Sequence, residues 1–429
     1  MNLILDRTIP PKIKPAKQVD FLKAATTICS NGTPIHYINH GEQDVIRLQF
    51  AFDAGTYFQS KPLLAAAVNK LLLEGTTKYS SQEIANFFEN RGAFVQAEVE
   101  ADKGIIHVYS LTKNLKELLP FLHEVISTAI FPEDELASYL SIQQQNFAVN
   151  SQKVGFMAKN NFLNTVLGDK SRYASKVTAE DYKHISRADL IEFYDTYYIG
   201  GQLNIFASGK VTAETLGLLE DVFGAGKRKE PNAERVVNEE IEGSSKSELL
   251  LPKENALQSA IRMGKPIISK HHEDFPALFF TNTVLGGYFG SRLMSNIRED
   301  KGYTYGIGSG LVAYKNAAYF LISTEVGAEV TEATISEIEK EVKRLQTELL
   351  DEKELNLVKN YLRGSILKNF DGAFAAMDRF RSIDTLGLGY DYYENLMRNI
   401  QAMTAVKVQE MAVKYLQLNS FKKIIAGKV

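Results

Sequence analysis

Apolar and polar positions repeat with two periods along this chain, and the switches between them mark strand hairpins flanked by long helices. Over 45–53, Ile46, Leu48 and Phe50 alternate with Arg47 and Gln49, the period of a strand, and Gly55 ends it. The Asn31-Gly32 turn signal lies between two strand-like runs, the second a shorter strand at 33–39. Residues 62–74 read as a helix with an unusually apolar middle, stopped by Gly75. Residues 80–91 read as a second, opened by Ser80 or Ser81 with Glu83 in its first turn. Strands at 94–99 and 104–111 flank Ala101-Asp102-Lys103-Gly104, a hairpin signal. Helices over 115–130, 132–150, 154–167 and 187–197 lead to a strand at 203–208.

The pattern breaks at 224–246, GAGKRKEPNAERVVNEEIEGSSK. Only Val236, Val237 and Ile241 are strongly apolar there, so the stretch reads as a linker between domains at 1–223 and 247–429. The second half predicts a strand at 256–263 and a helix after Glu273-Asp274. Gly286, Gly287 and Gly290 punctuate the turn into 291–298. Strands at 305–311 and 318–324 then precede helices over 330–349, 351–368, 373–386 and 391–400. The halves look duplicated. LNIFASGKV at 203–211 aligns with the end of SFKKIIAGKV at 420–429, an offset of 218 that also places Tyr197 on Tyr415 and Ile185-Ser186 on Met403-Thr404. Glu135-Leu136 resembles Glu354-Leu355 at an offset of 219. Hairpins beside long helices, rather than strict strand–helix alternation, predict an α+β fold of two homologous domains, each a mostly antiparallel sheet packed against several helices.

Composition narrows the function classes. Hydrophobic residues make up 45% of the 429 positions and the net charge is only -3, which excludes wholesale disorder and gives no reason to expect a nucleic acid partner. No apolar run is long enough for a membrane-spanning helix. The apolar stretch at 3–5 is too short for an export signal and Asp6 interrupts it. The lone Cys29 excludes an intrachain disulfide and a cysteine metal cluster. These points place the chain in the cytoplasm, with the periplasm left open.

Local chemistry is sparse. Gly306, Gly308 and Gly310 alternate with no helix after them, so they make no dinucleotide fingerprint and read as room for close backbone approach, by a ligand or by packing. None of the seven histidines forms a spaced pair on a helical face, and the adjacent His271 and His272 point in different directions. No sequence-local histidine zinc site is evident.

Taken in order, LLLEGTTKYS at 71–80, FPEDEL at 131–136, TAEDY at 178–182, FYDTYY at 193–198 and IREDKGYTYGIGS at 297–309 resemble the pitrilysin-like (insulinase, M16-type) metallopeptidases. The resemblance runs from about Asn31 to Val429, to the class with two similar halves per chain, and implies a pitrilysin/LuxS-like metallohydrolase architecture. Active members carry His-x-x-Glu-His on the first helix: two histidines bind zinc and the glutamate is the base. Matched back from Gly75-Thr76, those positions hold Ala66, Ala67, Val68, Asn69 and Lys70. A further glutamate ligand is expected after FPEDEL, where Asn146 is the nearest match. The resemblance therefore implies a chain with no metal or cofactor of its own. In the second half, Arg298 and Tyr305 keep the seven-residue spacing of a pair that active complexes use to hold the peptide, with Tyr303 as an alternative to Tyr305. The bland reading pairs Arg298 with Glu299 or Asp300 at a helix end. The function implied is the zinc-free subunit of a heterodimeric metallopeptidase, with a homologous zinc-bearing partner and an extended peptide substrate added to a sheet edge, which in the family lies over 92–99. In isolation a homodimer is one state open to such a chain, and the sequence does not fix its oligomeric state. The competing reading is an inactive structural or peptide-binding homologue resembling respiratory-complex core subunits. An independent hydrolase lacks any convincing triad or metal cluster.

Overall fold

The computed structural model describes residues 8, 21–174, 176–226 and 241–428. Most of the expected linker, and the last residue of the aligned tail, lie outside them.

The first sheet contains β1 (Ala25–Ile28), β2 (Pro34–Asn39), β3 (Val45–Phe52), β4 (Phe94–Val99), β5 (Gly104–Leu111) and β6 (Leu203–Gly209), in the order β1-β2-β6-β3-β5-β4. The second contains β7 (Glu248–Pro252), β8 (Gln258–Pro266), β9 (Ile307–Ala313), β10 (Ala318–Gly327) and β11 (Lys422–Gly427), in the order β7-β11-β8-β10-β9. Without β1 the two orders are the same. In each, the first strand lies parallel beside the last, and the remaining pairs are antiparallel. The duplication extends to local chemistry. Ser186 and Thr404 each accept the backbone N–H three residues on and so cap equivalent helices. Gly209 and Gly427, which end β6 and β11, both have positive φ.

Several elements depart from expectation. β7 and the helix Ala213–Phe223 were not anticipated, while β1 is the strand-like run expected before the Asn31-Gly32 turn. β7 is a short edge strand with exposed residues, and an internal Gly217 weakens the helical pattern. The expected helix over 62–74 is confined to Leu64–Leu71, because Leu63 before it is left-handed at φ 73°. The strand expected from 305 begins at Ile307, and the segment expected at 291–298 runs into a π-helical stretch, Met294–Asp300.

Alternation in β3 proves to separate two cores rather than core from water. Ile46, Leu48, Phe50 and Phe52 pack beneath the first half's own helices. Arg47 and Gln49, only 5% and 1% exposed, face the other way. What covers them is the helix Gly372–Asp384 from the second half: Ala373, Ala376, Met377, Phe380 and Ile383 share a core with Ile38, Ala51, Ile105 and Phe206 of the first sheet. The exchange is mutual. The first half's helix Val154–Leu167 lays Ala158, Phe162 and Val166 on Ala260, Tyr319, Ile424 and Ala426 of the second sheet. Polar groups fix the register. Arg47 donates to both Asp378 carboxylate oxygens, at 3.0 and 2.8 Å, and to the Phe374 carbonyl at 2.6 Å. Gln49 reaches the same carboxylate at 3.1 Å, and Arg381 forks onto Glu100 with two 3.0 Å bonds.

Two buried histidines belong to this seam. His36 meets Thr26 at 2.8 Å and lies 3.9 Å from Asp384. His107 meets Glu98 at 2.9 Å and Gln49 at 3.3 Å. Burial holds both rings below the ordinary histidine pKa. Asp384 opposes this at His36, and Glu98 opposes it at His107 while Arg381 and Arg47 add to it. Below about pH 6.5 the unfolded chain takes up protons that these folded rings exclude, so folding stability is lost as pH falls from there. Thermal melts from pH 8 to 5 are therefore expected to show a decline that is shallower in the double variant His36→Gln/His107→Gln; identical slopes would contradict the assignment.

Candidate functional site

The helix Leu64–Leu71 carries the positions where active relatives would bind metal. Leu64, Ala65, Ala67, Val68 and Leu71 are buried and anchor it in the first half's core. Residues four apart share a helical face: Ala66 offers no donor, and Lys70 extends outward to an i,i+4 pair with Glu74 at 3.2 Å. Its ammonium, 58% exposed, brings positive charge to the position of a ligand. Asn69 is 2% exposed, and its amide donates to the Tyr198 hydroxyl at 3.0 Å and approaches the Ile105 carbonyl at 3.5 Å. A neutral amide fixed as a donor cannot serve as a general base. Tyr198 sits on a π-helical stretch, Asp195–Ile199, with its ring 4.7 Å from Phe52. Burial pushes its phenol well above the ordinary value, while the bond from Asn69 pulls the other way. Its hydroxyl occupies space that any side chain at 104 would need: a Cβ on Gly104 would stand 2.4 Å from that oxygen.

Asn146 is exposed on the helix Glu133–Asn150 and brings no carboxylate to the position of the further ligand. Among the described residues no three His, Cys, Asp or Glu side chains are grouped to hold a metal ion. The donor set does not fit zinc: of the two ligand positions on this helix, Ala66 has no ligating atom and Lys70 is cationic, and the base position is a buried amide already committed to Tyr198.

The second-half pair is placed differently. Arg298 lies on the π-helical stretch Met294–Asp300, and its Nε donates to the Tyr305 backbone carbonyl at 3.2 Å. Its guanidinium also lies 4.6 Å from the Phe289 ring centre and 3.7 Å from Glu299, the pairing of the bland reading. The Tyr305 ring is 97% exposed, whereas Tyr303 packs against the second half's core. Thus the backbone joins Arg298 to Tyr305, and the two side chains are left at the surface. The strand over 94–99, β4, is an edge of the first sheet, and β9 is the equivalent edge of the second.

Two features had no sequence signal. The Asn69–Tyr198 bond joins residues far apart in the chain, and no local pattern records their contact. A cavity of about 380 Å³ beside Tyr305 is lined by Arg262 and Glu325, single charges in otherwise ordinary strands.

Residues 184–362 match the family model described as the Peptidase M16 inactive domain, and residues 42–171 match that of Insulinase (Peptidase family M16). An uncharacterised zinc protease of Bacillus subtilis, YmxG, is 22% identical over 391 residues, spanning 90% of this chain and 93% of its own. One from Rickettsia felis is 23% identical over 357 residues, 79% and 81% of the two chains. Among solved structures, a peptidase M16 inactive domain from Pseudomonas fluorescens has a TM-score of 0.85 at 24% identity, covering 95% of this chain and 99% of that one. A chain of complex III2 from Candida albicans has a TM-score of 0.75 at 14% identity, covering 94% and 95%. These structures share the fold.

Replacing Tyr198 by Phe leaves the buried Asn69 amide with only its long contact to Ile105, and should cost about 1–3 kcal/mol in denaturant unfolding. An unchanged midpoint would show that the amide does not depend on this hydroxyl.

Proposed function

The chain belongs to the insulinase (M16) peptidase family, and from that premise we propose that it is the zinc-free subunit of a two-chain peptidase. It grips an extended peptide for a homologous partner that bears the metal. One contrast carries the reading: on the first helix the two ligand positions hold an alanine and an outward lysine and the base position a locked amide, while Arg298 and Tyr305 remain at the surface. Chemistry that needs a metal then belongs to the partner chain.

Arg298 and Tyr305 suit the remaining task. A guanidinium is permanently charged and the phenol donates through its hydroxyl, so both can hold a substrate carbonyl and stabilise the negative charge that develops on it. The carbonyl of Tyr305 fixes one edge of the Arg298 guanidinium and leaves its other nitrogens to turn toward a ligand. Phe289 beneath the guanidinium limits its motion. An extended peptide adds to a sheet by main-chain bonds; β9, the edge strand that follows Tyr305, is the edge this reading assigns to it, with β4 its counterpart in the first sheet.

A purely architectural role is the second reading, favoured by the completeness with which the first helix is packed and consistent with the fold shared with a complex III2 chain. It predicts stable assembly or peptide affinity without hydrolysis.

Copurification of the zinc-bearing partner, followed by assay of each chain and of the mixture, separates these readings. Peptide hydrolysis is expected in the mixture alone. Arg298→Ala should lower kcat/KM by about 10²–10³-fold, as for loss of one oxyanion donor, while gel filtration shows the assembly intact. Full activity in an intact Arg298→Ala complex would remove the assigned role.

A further inference from the structure

The second sheet has one face only partly covered. Residues opposite each other in antiparallel strands share a face, and the register places Arg262 opposite Ser323 and Ser323 opposite Gly308. This face also carries Ala260, on which the helix Val154–Leu167 packs. At the start of that helix the cover ends, and the face opens into the cavity of about 380 Å³ lined by Gln258, Arg262, Thr304, Tyr305, Ser323 and Glu325.

Arg262 is partly buried on the cavity wall. Its guanidinium makes no hydrogen bond or ion pair among the described residues; its contact is with the Phe162 ring, 5.9 Å from the centroid. Such a group is a planar fork of donors with a permanent charge, and a carboxylate is its geometric complement. Glu325 does not fill that role. Its carboxylate lies against Gly155, where a Cβ would stand 2.1 Å from an oxygen. Gly155 is in the first turn of the helix Val154–Leu167, whose dipole favours negative charge. Glu325 attracts Arg262 through space, but no hydrogen bond or ion pair joins the two, so the donor fork of the arginine is left without a bonded anion.

The approach to the cavity is flat. At Gly306 and Gly310 an added Cβ would meet nothing within 4 Å, and at Gly308 it would meet only the Gly286 carbonyl, at 3.4 Å. Alternating glycines so leave bare backbone along the edge strand, where an extended chain can lie close.

We propose that this cavity binds a carboxylate carried by the extended peptide, with Arg262 as its charge partner and Tyr305 at the rim. The inference rests on the peptide-gripping role assigned above and adds a substrate class to it: peptides with a carboxylate, either the chain end or an acidic side chain, within reach of the Arg298–Tyr305 pair.

Fluorescence anisotropy on the full chain tests this with a labelled peptide of Gly, Ser and Leu in three forms: free C-terminal acid, C-terminal amide, and amide with glutamate at the last position. At least one anionic form should bind about tenfold or more tightly than the neutral amide. Which one does so identifies the chain end or the side chain as the source. Arg262→Gln, checked for folding by circular dichroism, should erase the preference while sparing the neutral amide's affinity. Glu325→Gln should strengthen anion binding a few-fold, which keeps the test available if the arginine variant misfolds. Equal binding of all three forms, or a preference that survives Arg262→Gln, overturns the carboxylate site and leaves peptide gripping standing. If no form binds, the gripping role itself fails and takes the site with it.

Discussion

Each half of this chain leaves one face of its sheet open, and the open face is closed by a helix from the other half. Helix Gly372–Asp384 covers the first sheet and helix Val154–Leu167 covers the second. Neither half has a complete core without its neighbour. Burial on this scale supplies the non-directional part of the attraction. The directional part comes from forked arginine–carboxylate contacts, Arg47 to Asp378 and Arg381 to Glu100. A buried arginine of this kind is costly to leave unpaired, so the contacts specify one relative placement of the halves more than they add to stability. The hairpin turns repeat the theme: Tyr173, whose hydroxyl bonds Asp102 at 2.6 Å, also accepts the Asn316 backbone N–H at 3.1 Å.

This exchange determines what each half can do. In the first half, the helix that would carry a metal is packed as an ordinary core helix, and its one buried polar side chain is satisfied by Tyr198. A buried amide needs a partner, and the π-helical stretch at Asp195–Ile199 delivers the hydroxyl that provides one. In the second half, another π-helical stretch presents Arg298 at the surface, beside an exposed Tyr305 and the glycine-lined edge strand. The same fold, used twice, holds a sealed position in one copy and an open polar surface in the other.

Much of this was legible in the residues. The hairpins, the capping box of Ser80 with Glu83, the repeated helix start at Ser186 and Thr404, and the repeated strand ending at Gly209 and Gly427 are local signals, and the structure contains each. The degenerate metal helix was equally plain, because it depends only on which side chains stand at Ala66, Asn69 and Lys70. Edge strand β7 was hidden because a short exposed strand owes its form to a neighbour rather than to periodicity. In β3 the period was right, but its polar face turned out to be buried against the other half, a tertiary fact that no local pattern records. The Asn69–Tyr198 bond and the unpaired Arg262 were hidden for the same reason.

The central claim is a grip on extended peptide that needs no metal in this chain. Hydrogen exchange of the full chain, with and without saturating unstructured peptide and in the presence of a zinc chelator, addresses it most directly. The account predicts slowed exchange across 304–313, at and before β9, unaffected by the chelator. Protection that appears only with added zinc, or that centres on the helix Leu64–Leu71, would contradict it.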